Sequence, residues 1–386
     1  KKSGKKDLMV LFSRVSCQAA GVFTTNKMKA ACVRFNQKQI QKRSLQAIVC
    51  NSGNANCLTG SKGEKDNLLM AKTLAKTLKL PLSKIAVAST GVIGQKLPMA
   101  AIRKGILKAV KQLGNSEEHN QNAAHAILTT DRGLKESACE INIGKSKVRV
   151  GLIAKGAGMV HPEMTLTGKP HATMLCFITT DAHISANALK SALLHAVTYS
   201  FNRISVDRDR STNDMVLIMA NGQARNKAIG MNSRQYKVFV KALTELCQKT
   251  AESIVLDGEG ATKLLNLNIK GARNAKEAHE AGMYVASSPL VKTALFGSDP
   301  NWGRFAASIG ASGVHIDLNK FRIRIGPYIV LKGHTPQKVS QGALNKVFKN
   351  KVIDVTLYLG SGKAKDKIQT CDLTTGYVRL NSDYHT

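Results

Sequence analysis

The stretch Ala172-Thr173-Met-Leu-Cys-Phe-Ile-Thr-Thr-Asp181 places a small residue before a hydroxyl residue at the head of an apolar run that reads as a strand. Were the Ala172–Thr173 bond cut, Thr173 would carry a hydroxyl and a free α-amine, whose ordinary pKa of about 7.7–8.0 suits a base at neutral pH. Nucleophile and base would then share one residue, an arrangement suited to acyl transfer through a covalent ester. Such a group needs a rigid strand to aim it and donors to stabilise an oxyanion. On the dipeptide alone, an ordinary strand threonine is the favoured reading.

A second candidate is Ile85-Ala-Val-Ala-Ser-Thr90-Gly91-Val-Ile-Gly94, where an apolar strand ends in a small-residue turn before a helix. Backbone N–H groups at such a turn can hold an anion; a plain tight-turn glycine pair is the competing reading. No Gly-Lys-Ser/Thr follows, and Gly360-Ser-Gly-Lys363 also lacks phosphate-loop spacing. The ten histidines show no ligand spacing and no Cys-x-x-Cys pair occurs, so no metal is expected, and no nucleotide-binding signature is evident.

Positioning such groups requires sheet. Ala47 to Cys50, Ile85 to Ala88, Val148 to Ile153 and Met174 to Ile178 read as buried strands. Helical periodicity falls between them, in Lys65 to Leu80 and in Met99 to Leu113, with Pro98 expected at the first helical position. Ala186 to Ser200 and Ser233 to Leu256 read as longer helices, and Thr335-Pro336 as the opening of another of about a dozen residues. Phe321 to Ile325 and Val352 to Leu359 complete the strand reading. The result is an α/β or α+β body with extensive sheet and no evident internal boundary.

With 386 residues, 43% of them hydrophobic, the chain can bury one large core or two ordinary ones. Lys and Arg number 57 against 25 Asp and Glu, and the +32 excess attracts anionic partners. Aromatics at 5%, the absence of finger spacings and the dispersal of the lysines argue against nucleic acid and for small anionic substrates such as amino acids or coenzyme A. The eight cysteines read as reduced, mostly buried thiols. Leu8 to Phe12 is too short for a signal segment and no run of eighteen apolar residues occurs, so no membrane role and a cytoplasmic location are expected.

The motifs taken together resemble the ornithine acetyltransferase (glutamate N-acetyltransferase) family of arginine biosynthesis nearly end to end. The carriers are Ala20-Gly-Val-Phe-Thr-Thr-Asn26, Asn51-Ser-Gly-Asn-Ala-Asn56, Ser89-Thr-Gly-Val-Ile-Gly94, Thr129-Thr-Asp131, Lys155-Gly-Ala-Gly-Met159 and Ala172-Thr-Met-Leu175. Ser211-Thr-Asn-Asp214, Gly258-Glu-Gly-Ala-Thr-Lys263, the run from Leu290 to Arg304 and the ending Asn381-Ser-Asp-Tyr-His-Thr386 extend it. The resemblance implies an α/β (α+β) stacked-sheet sandwich covered by helices, of the kind shared with self-cleaving aminopeptidases. It implies a precursor that cleaves itself at Ala172–Thr173 into an α chain, 1–172, and a β chain, 173–386, assembling as a heterotetramer of two of each.

Thr173 would then pass an acetyl group from N2-acetylornithine to glutamate in ping-pong fashion, without a bound cofactor, some members also taking acetyl-coenzyme A as donor. By motif match, Thr90 and Gly91 would form the oxyanion hole. Thr129, Lys155, Thr173, Glu259, Asn381 and Thr386 would line the amino-acid site, with Lys155 suited to a substrate carboxylate and Glu259 to an ammonium.

Three departures from the family pattern bear on this. Seven residues, Thr165 to His171, intervene before Ala172 and read as a surface loop beside the bond to be cut, bringing Lys169 and His171 near it in sequence. Arg208 and Arg210 stand where small residues are usual, at a turn where a glycine would signal positive φ. Arg132-Gly133-Leu134 replaces the usual threonine-x-proline before Lys135. The alternatives are an unprocessed, non-enzymatic binding homologue and an N-terminal-threonine amidohydrolase that delivers the acyl group to water.

Overall fold

The computed structural model describes residues 4, 6–166 and 174–383, so Ala172, Thr173, Lys169, His171 and Thr386 lie outside the described residues. The chain opens with β1 (Leu8–Phe23), α1 (Ala31–Gln39), β2 (Ser44–Asn54), α2 (Gly60–Leu78), β3 (Ile85–Val92), α3 (Met99–Lys111) and α4 (Glu117–Ala126). It continues with β4 (Lys135–Ile143), β5 (Ser146–Lys155), β6 (Leu175–Thr180), α5 (Ala186–Thr198), β7 (Ile204–Ser205), β8 (Met215–Ala220), α6 (Arg234–Leu256), β9 (Leu264–Ala272), α7 (Ala275–Ala286), α8 (Pro289–Phe296) and α9 (Trp302–Gly310). The last part is β10 (Arg322–Ile325), β11 (Tyr328–Lys332), β12 (Thr335–Pro336), α10 (Gln341–Phe348), β13 (Val352–Tyr358), β14 (Ala364–Cys371) and α11 (Thr375–Asp383).

Two compact units result: residues 1–202 with 210–251, and 203–209 with 252–385. The sequence offered no boundary because the divide follows no Gly/Pro linker; it is crossed three times within ordinary segments. Each unit carries a mixed seven-stranded sheet with helices packed on it, the expected α/β class.

In the first unit the strand order is β3-β2-β1-β8-β6-β5-β4. β2 and β3 run parallel, as do β6 and β8, while the other neighbours are antiparallel. Met215 to Ala220 is buried throughout, as is nearly all of β6, which explains why both are continuous apolar runs rather than alternating ones. Ile48, Met70, Leu74, Ile85, Val87, Ile106, Phe177 and Leu217 belong to one core cluster. The sheet is interleaved: β6 and β8, which follow residue 173, lie between β1 and β5, which precede it.

In the second unit the order is β12-β11-β10-β13-β9-β14-β7, with α7 packed against β9 and β14. Leu267, Ile269, Val285, Phe305, Ile323, Val355 and Ile368 share its core. The helices are signed at their starts. Asn274 accepts from the Glu277 amide ahead of α7, and Ser288 caps α8 with Pro289 at its first position.

Two local expectations are corrected. Thr335 and Pro336 do not open a helix; they pair with Lys332 and Leu331 as β12, and α10 starts later, where Ser340 accepts from the Ala343 amide. Pro98 is the residue before α3 rather than its first turn. The eight cysteines are free, and all but Cys139 are buried. Among the described residues, no helix is long and apolar enough to cross a membrane.

The turn at Arg208 has the conformation its family-typical small residue suggested: Arg208 is exposed with φ 68°, in the left-handed region. That conformation costs a side-chain-bearing residue roughly 1–2 kcal/mol, part of which glycine's greater freedom in the unfolded chain offsets. Arg208→Gly is therefore expected to raise the thermal unfolding midpoint by about 1–3 °C, and Arg208→Val to lower it, as read by circular-dichroism melts.

Candidate active site

Lys155 ends β5, directly opposite Leu175 of β6, and is buried. Its ammonium donates to Thr129 Oγ1 at 2.8 Å and to Thr90 Oγ1 at 3.4 Å. The three residues come from three places in the sequence, the end of β3, the loop after α4 and the end of β5, and the fold brings them together. Thr173 itself lies outside the described residues, but Met174, bonded to it, is fully buried at the head of β6.

A buried ammonium needs an anion, and Asp131 supplies one. Its Oδ2 lies 3.9 Å from Lys155 Nζ, and its Oδ1 accepts from Lys135 Nζ at 2.7 Å and from the Gly156 amide at 2.7 Å. The Thr129 amide donates to Oδ2 at 3.1 Å. Side-chain exposures of 0% for Asp131, 1% for Lys135 and 4% for Lys155 mean that all three charges are out of water. Burial alone would raise the Asp131 pKa; Lys155, Lys135 and the Gly156 amide outweigh it and hold the carboxyl well below the usual carboxylate range. Two cations and one anion leave the trio one positive charge in excess, which a substrate carboxylate would neutralise.

Gly91 follows Thr90 with φ 124°, and a Cβ there would collide with the Gly53 carbonyl. Glycine is needed because the ends of β2 and β3 approach closely where their register becomes irregular. Other motif residues build this platform. Ser89 Oγ donates to Asn51 Oδ1 at 2.7 Å, Asn213 Nδ2 donates to the carbonyls of Ala55 and Ser89, and Thr24 Oγ1 donates to the Ser211 carbonyl at 2.7 Å. They tie together the ends of β1, β2, β3 and β8.

Glu259 and Asn381 form their own pair in the second unit. Glu259 is buried, and Asn381 Nδ2 donates to its Oε2 at 2.9 Å and to the Tyr377 carbonyl at 3.0 Å. Gly260, at φ 69°, lies so close to the Tyr377 amide that a side chain could not be added. Burial, with Asp207, Asp209 and Glu259 nearby, pushes the Tyr377 hydroxyl above its ordinary pKa. Thr386 and the insertion from residue 167 onward lie outside the described residues; the stem of the insertion is anchored by Met164, whose amide and carbonyl both bond the Asn202 side chain.

Sequence reasoning overlooked Asp131 and Lys135 as a unit, although Asp-x-x-x-Lys stood in plain view. That spacing suggests a pair on a helix face, whereas here it spans a turn into β4, whose first residue is Lys135. Among the described residues, no group of three or more His, Cys, Asp or Glu side chains is arranged to hold a metal ion.

A family model described as the ArgJ family matches residues 1–386. An arginine biosynthesis bifunctional protein ArgJ from Symbiobacterium thermophilum is 43% identical over 384 residues, spanning 100% of this chain and 93% of that protein. The protein of the same name from Bacillus thuringiensis subsp. konkukian is 42% identical over 386 residues, spanning 100% and 92%. Among solved structures, the chain is similar to the arginine biosynthesis bifunctional protein argJ of Bacillus halodurans, with 39% identity and a TM-score of 0.52 over 53% of this chain and 97% of that one.

Asp131→Asn leaves two buried ammonium groups without their anion and is expected to cost about 3–5 kcal/mol at pH 7, measured by urea unfolding. The sign follows from the lowered pKa. Asp131 stabilises the fold above its unfolded value of about 3.9, and that contribution is lost as pH falls through the lower folded value, so the gap between variant and wild type should narrow below about pH 4.

Proposed function

The chain belongs to the ArgJ family and is an acyltransferase of arginine biosynthesis, and from that premise we propose that it moves an acetyl group from N2-acetylornithine to glutamate through an acetyl ester on Thr173. The observation that carries this reading is the buried Lys155–Thr90–Thr129 cluster at the strand end opposite Leu175, two residues after Thr173. In the first half-reaction the Thr173 hydroxyl attacks the acetyl carbonyl while the Thr173 amine accepts its proton. The carbon–nitrogen bond then breaks, and the proton passes to ornithine's departing amine. In the second, the glutamate amine attacks the ester, N-acetylglutamate forms and the hydroxyl regains its proton.

Thr90 and Gly91 would stabilise the oxyanion of both tetrahedral intermediates. The ammonium of Lys155, 3.4 Å from Thr90 Oγ1, favours that hydroxyl pointing its own proton away from nitrogen and toward a developing negative charge. The surplus charge of the Lys155, Asp131 and Lys135 trio suits the substrate carboxylate, with Thr129 beside it. Glu259, Asn381 and Thr386 would complete recognition, Glu259 matching the side-chain ammonium of ornithine. Reading both ends of the acceptor favours transfer to an amino acid over transfer to water.

Self-cleavage before Thr173 would free the amine the mechanism requires. The interleaved sheet supports it, because β6 and β8 of a β chain 173–386 would stay hydrogen-bonded between β1 and β5 of an α chain 1–172. Chain lengths agree with it as well: 53% of this chain matches 97% of the solved Bacillus halodurans chain, and the segment after the cut would be 214 of 386 residues. Assembly as a heterotetramer of two α and two β chains is part of the same proposal. Acetyl-coenzyme A as a second donor is a separable reading, favoured by the relatives' description as bifunctional and by the +32 charge.

Intact mass under denaturing conditions should give chains of 172 and 214 residues. Thr173→Ala should give a single uncut chain with no acetyl transfer; an active Thr173→Ala protein would sink the mechanism. Lys155→Gln should still fold and lose about 10²-fold or more in kcat/KM for acetyl transfer, assayed with and without glutamate, since a buried charged partner of the substrate is removed. Acetate release independent of glutamate would point to the amidohydrolase instead.

A further inference from the structure

The acetyl-transfer chemistry makes no use of Asp214, the last residue of the motif Ser211-Thr-Asn-Asp214. It stands just before β8 and is completely buried, at 0% exposure. Its main chain is fixed, the carbonyl accepting from the Thr24 amide at 2.8 Å, while the amide of the next residue, Met215, donates to the Met174 carbonyl at 3.1 Å. Leu175 stands beside Met215 in the parallel β6–β8 ladder, so one step back along both strands sets Asp214 beside Met174. Met174 is bonded directly to Thr173.

The other polar side chains of this motif have partners. Ser211 Oγ accepts from the Asn213 amide, Thr212 Oγ1 donates to Asn213 Oδ1, and Asn213 Nδ2 donates to two carbonyls. Among the described residues, neither carboxyl oxygen of Asp214 makes a well-formed hydrogen bond. A buried acid in that position is rare without a purpose. Burial pushes its pKa well above the carboxylate range, against a smaller opposing pull from the Met174 amide and from Lys155 of β5, the charged side chain that acts on it. A neutral acid keeps a carbonyl that accepts and gains an O–H that donates, so it can hold a backbone amide without burying a charge.

We propose that Asp214 is a positioning residue that works as an uncharged carboxylic acid, holding the backbone at Met174 so that the nucleophile one residue earlier is aimed. The inference rests on the Thr173 reading above. It adds no atom to the acetyl-transfer steps; it sets geometry, and a displacement of about 1 Å at a nucleophile can cost about 10²-fold in rate.

The test compares full-length wild type, Asp214→Asn and Asp214→Leu by three readouts: cleavage by intact mass, kcat and KM against pH, and the thermal midpoint. Asparagine is isosteric and always neutral, so it should keep cleavage, keep kcat within about threefold and leave the limbs of the pH–kcat profile unshifted. Leucine packs but cannot hydrogen-bond, and should lose about 10²-fold in kcat with little change in KM. Should the leucine variant not fold, Asp214→Val replaces it with the same expected loss. A folded Asp214→Asn protein as impaired as the apolar variant would show that an ionised carboxylate is needed and overturn the proposal, as would a shifted pH limb or an apolar variant of full activity. Wild type that is uncut and transfers no acetyl group would instead refute the Thr173 reading, and this inference with it.

Discussion

Lys155 can be buried as a cation only because Asp131 is buried with it, and much of the local architecture answers to that requirement. Taking one such ion out of water costs several kcal/mol after relaxation, so each must be surrounded by opposite charge and hydrogen bonds. Asp131 accepts from Lys135 and from the Gly156 and Thr129 amides as well as facing Lys155, and these contacts pin three pieces of chain. The loop after α4, the first residue of β4 and the turn leaving β5 therefore converge on one carboxylate. Thr90 and Thr129 are placed by the ammonium that this carboxylate stabilises.

The second unit holds Glu259 by different means. Asp372 accepts from the Thr262 and Lys263 amides at 2.9 and 3.0 Å, and Thr374 Oγ1 donates to the Gly260 carbonyl at 2.8 Å. Lys263, just beyond, donates to the carbonyls of Leu295 and Phe348 at 2.7 and 2.8 Å. Most of the motif Gly258 to Lys263 is thus scaffolding for the backbone, and one side chain in it, Glu259, bonds the outward-lying Asn381. Motif residues at both candidate sites divide in this way between those that face substrate in the proposed reaction and a larger number that fix where those few sit.

Local features were legible in the sequence where one element expresses one period. The apolar runs of β2, β3, β5 and β6 and the amphipathic α2, α3, α5 and α6 all stand close to their expected positions. β1 was not read as a strand, Leu8 to Phe12 standing out only as a short apolar run, because its register shifts between Phe12 and Cys17 and exposed Arg14 to Ser16 interrupt the alternation. Strand order was not legible at all, since β6 and β8 are neighbours across 34 intervening residues and nothing in either strand names its partner. Lys155, Thr90 and Glu259 could be singled out through motif resemblance. Asp214 had been noted as part of a motif without a role, because full burial of an acid flanked by Ser, Thr and Asn is a property of packing rather than of pattern.

The interleaving of β1, β8, β6 and β5 would change the thermodynamics of the molecule if the backbone is cut before Thr173 as proposed. An intact chain folds by a first-order equilibrium that is independent of concentration. Cut, the same sheet would be shared by two polypeptides, so unfolding would release separate chains and recovery would become second order, falling away on dilution by mass action. In the first sheet neither segment is complete: residues before 173 supply β3-β2-β1 and β5-β4 but not the β8-β6 pair that joins them, and residues after 173 supply that pair together with the whole second sheet. Under the proposed cleavage, folding would have to come first and cutting second, and the cut protein would endure through the height of its unfolding barrier rather than through any readiness to refold.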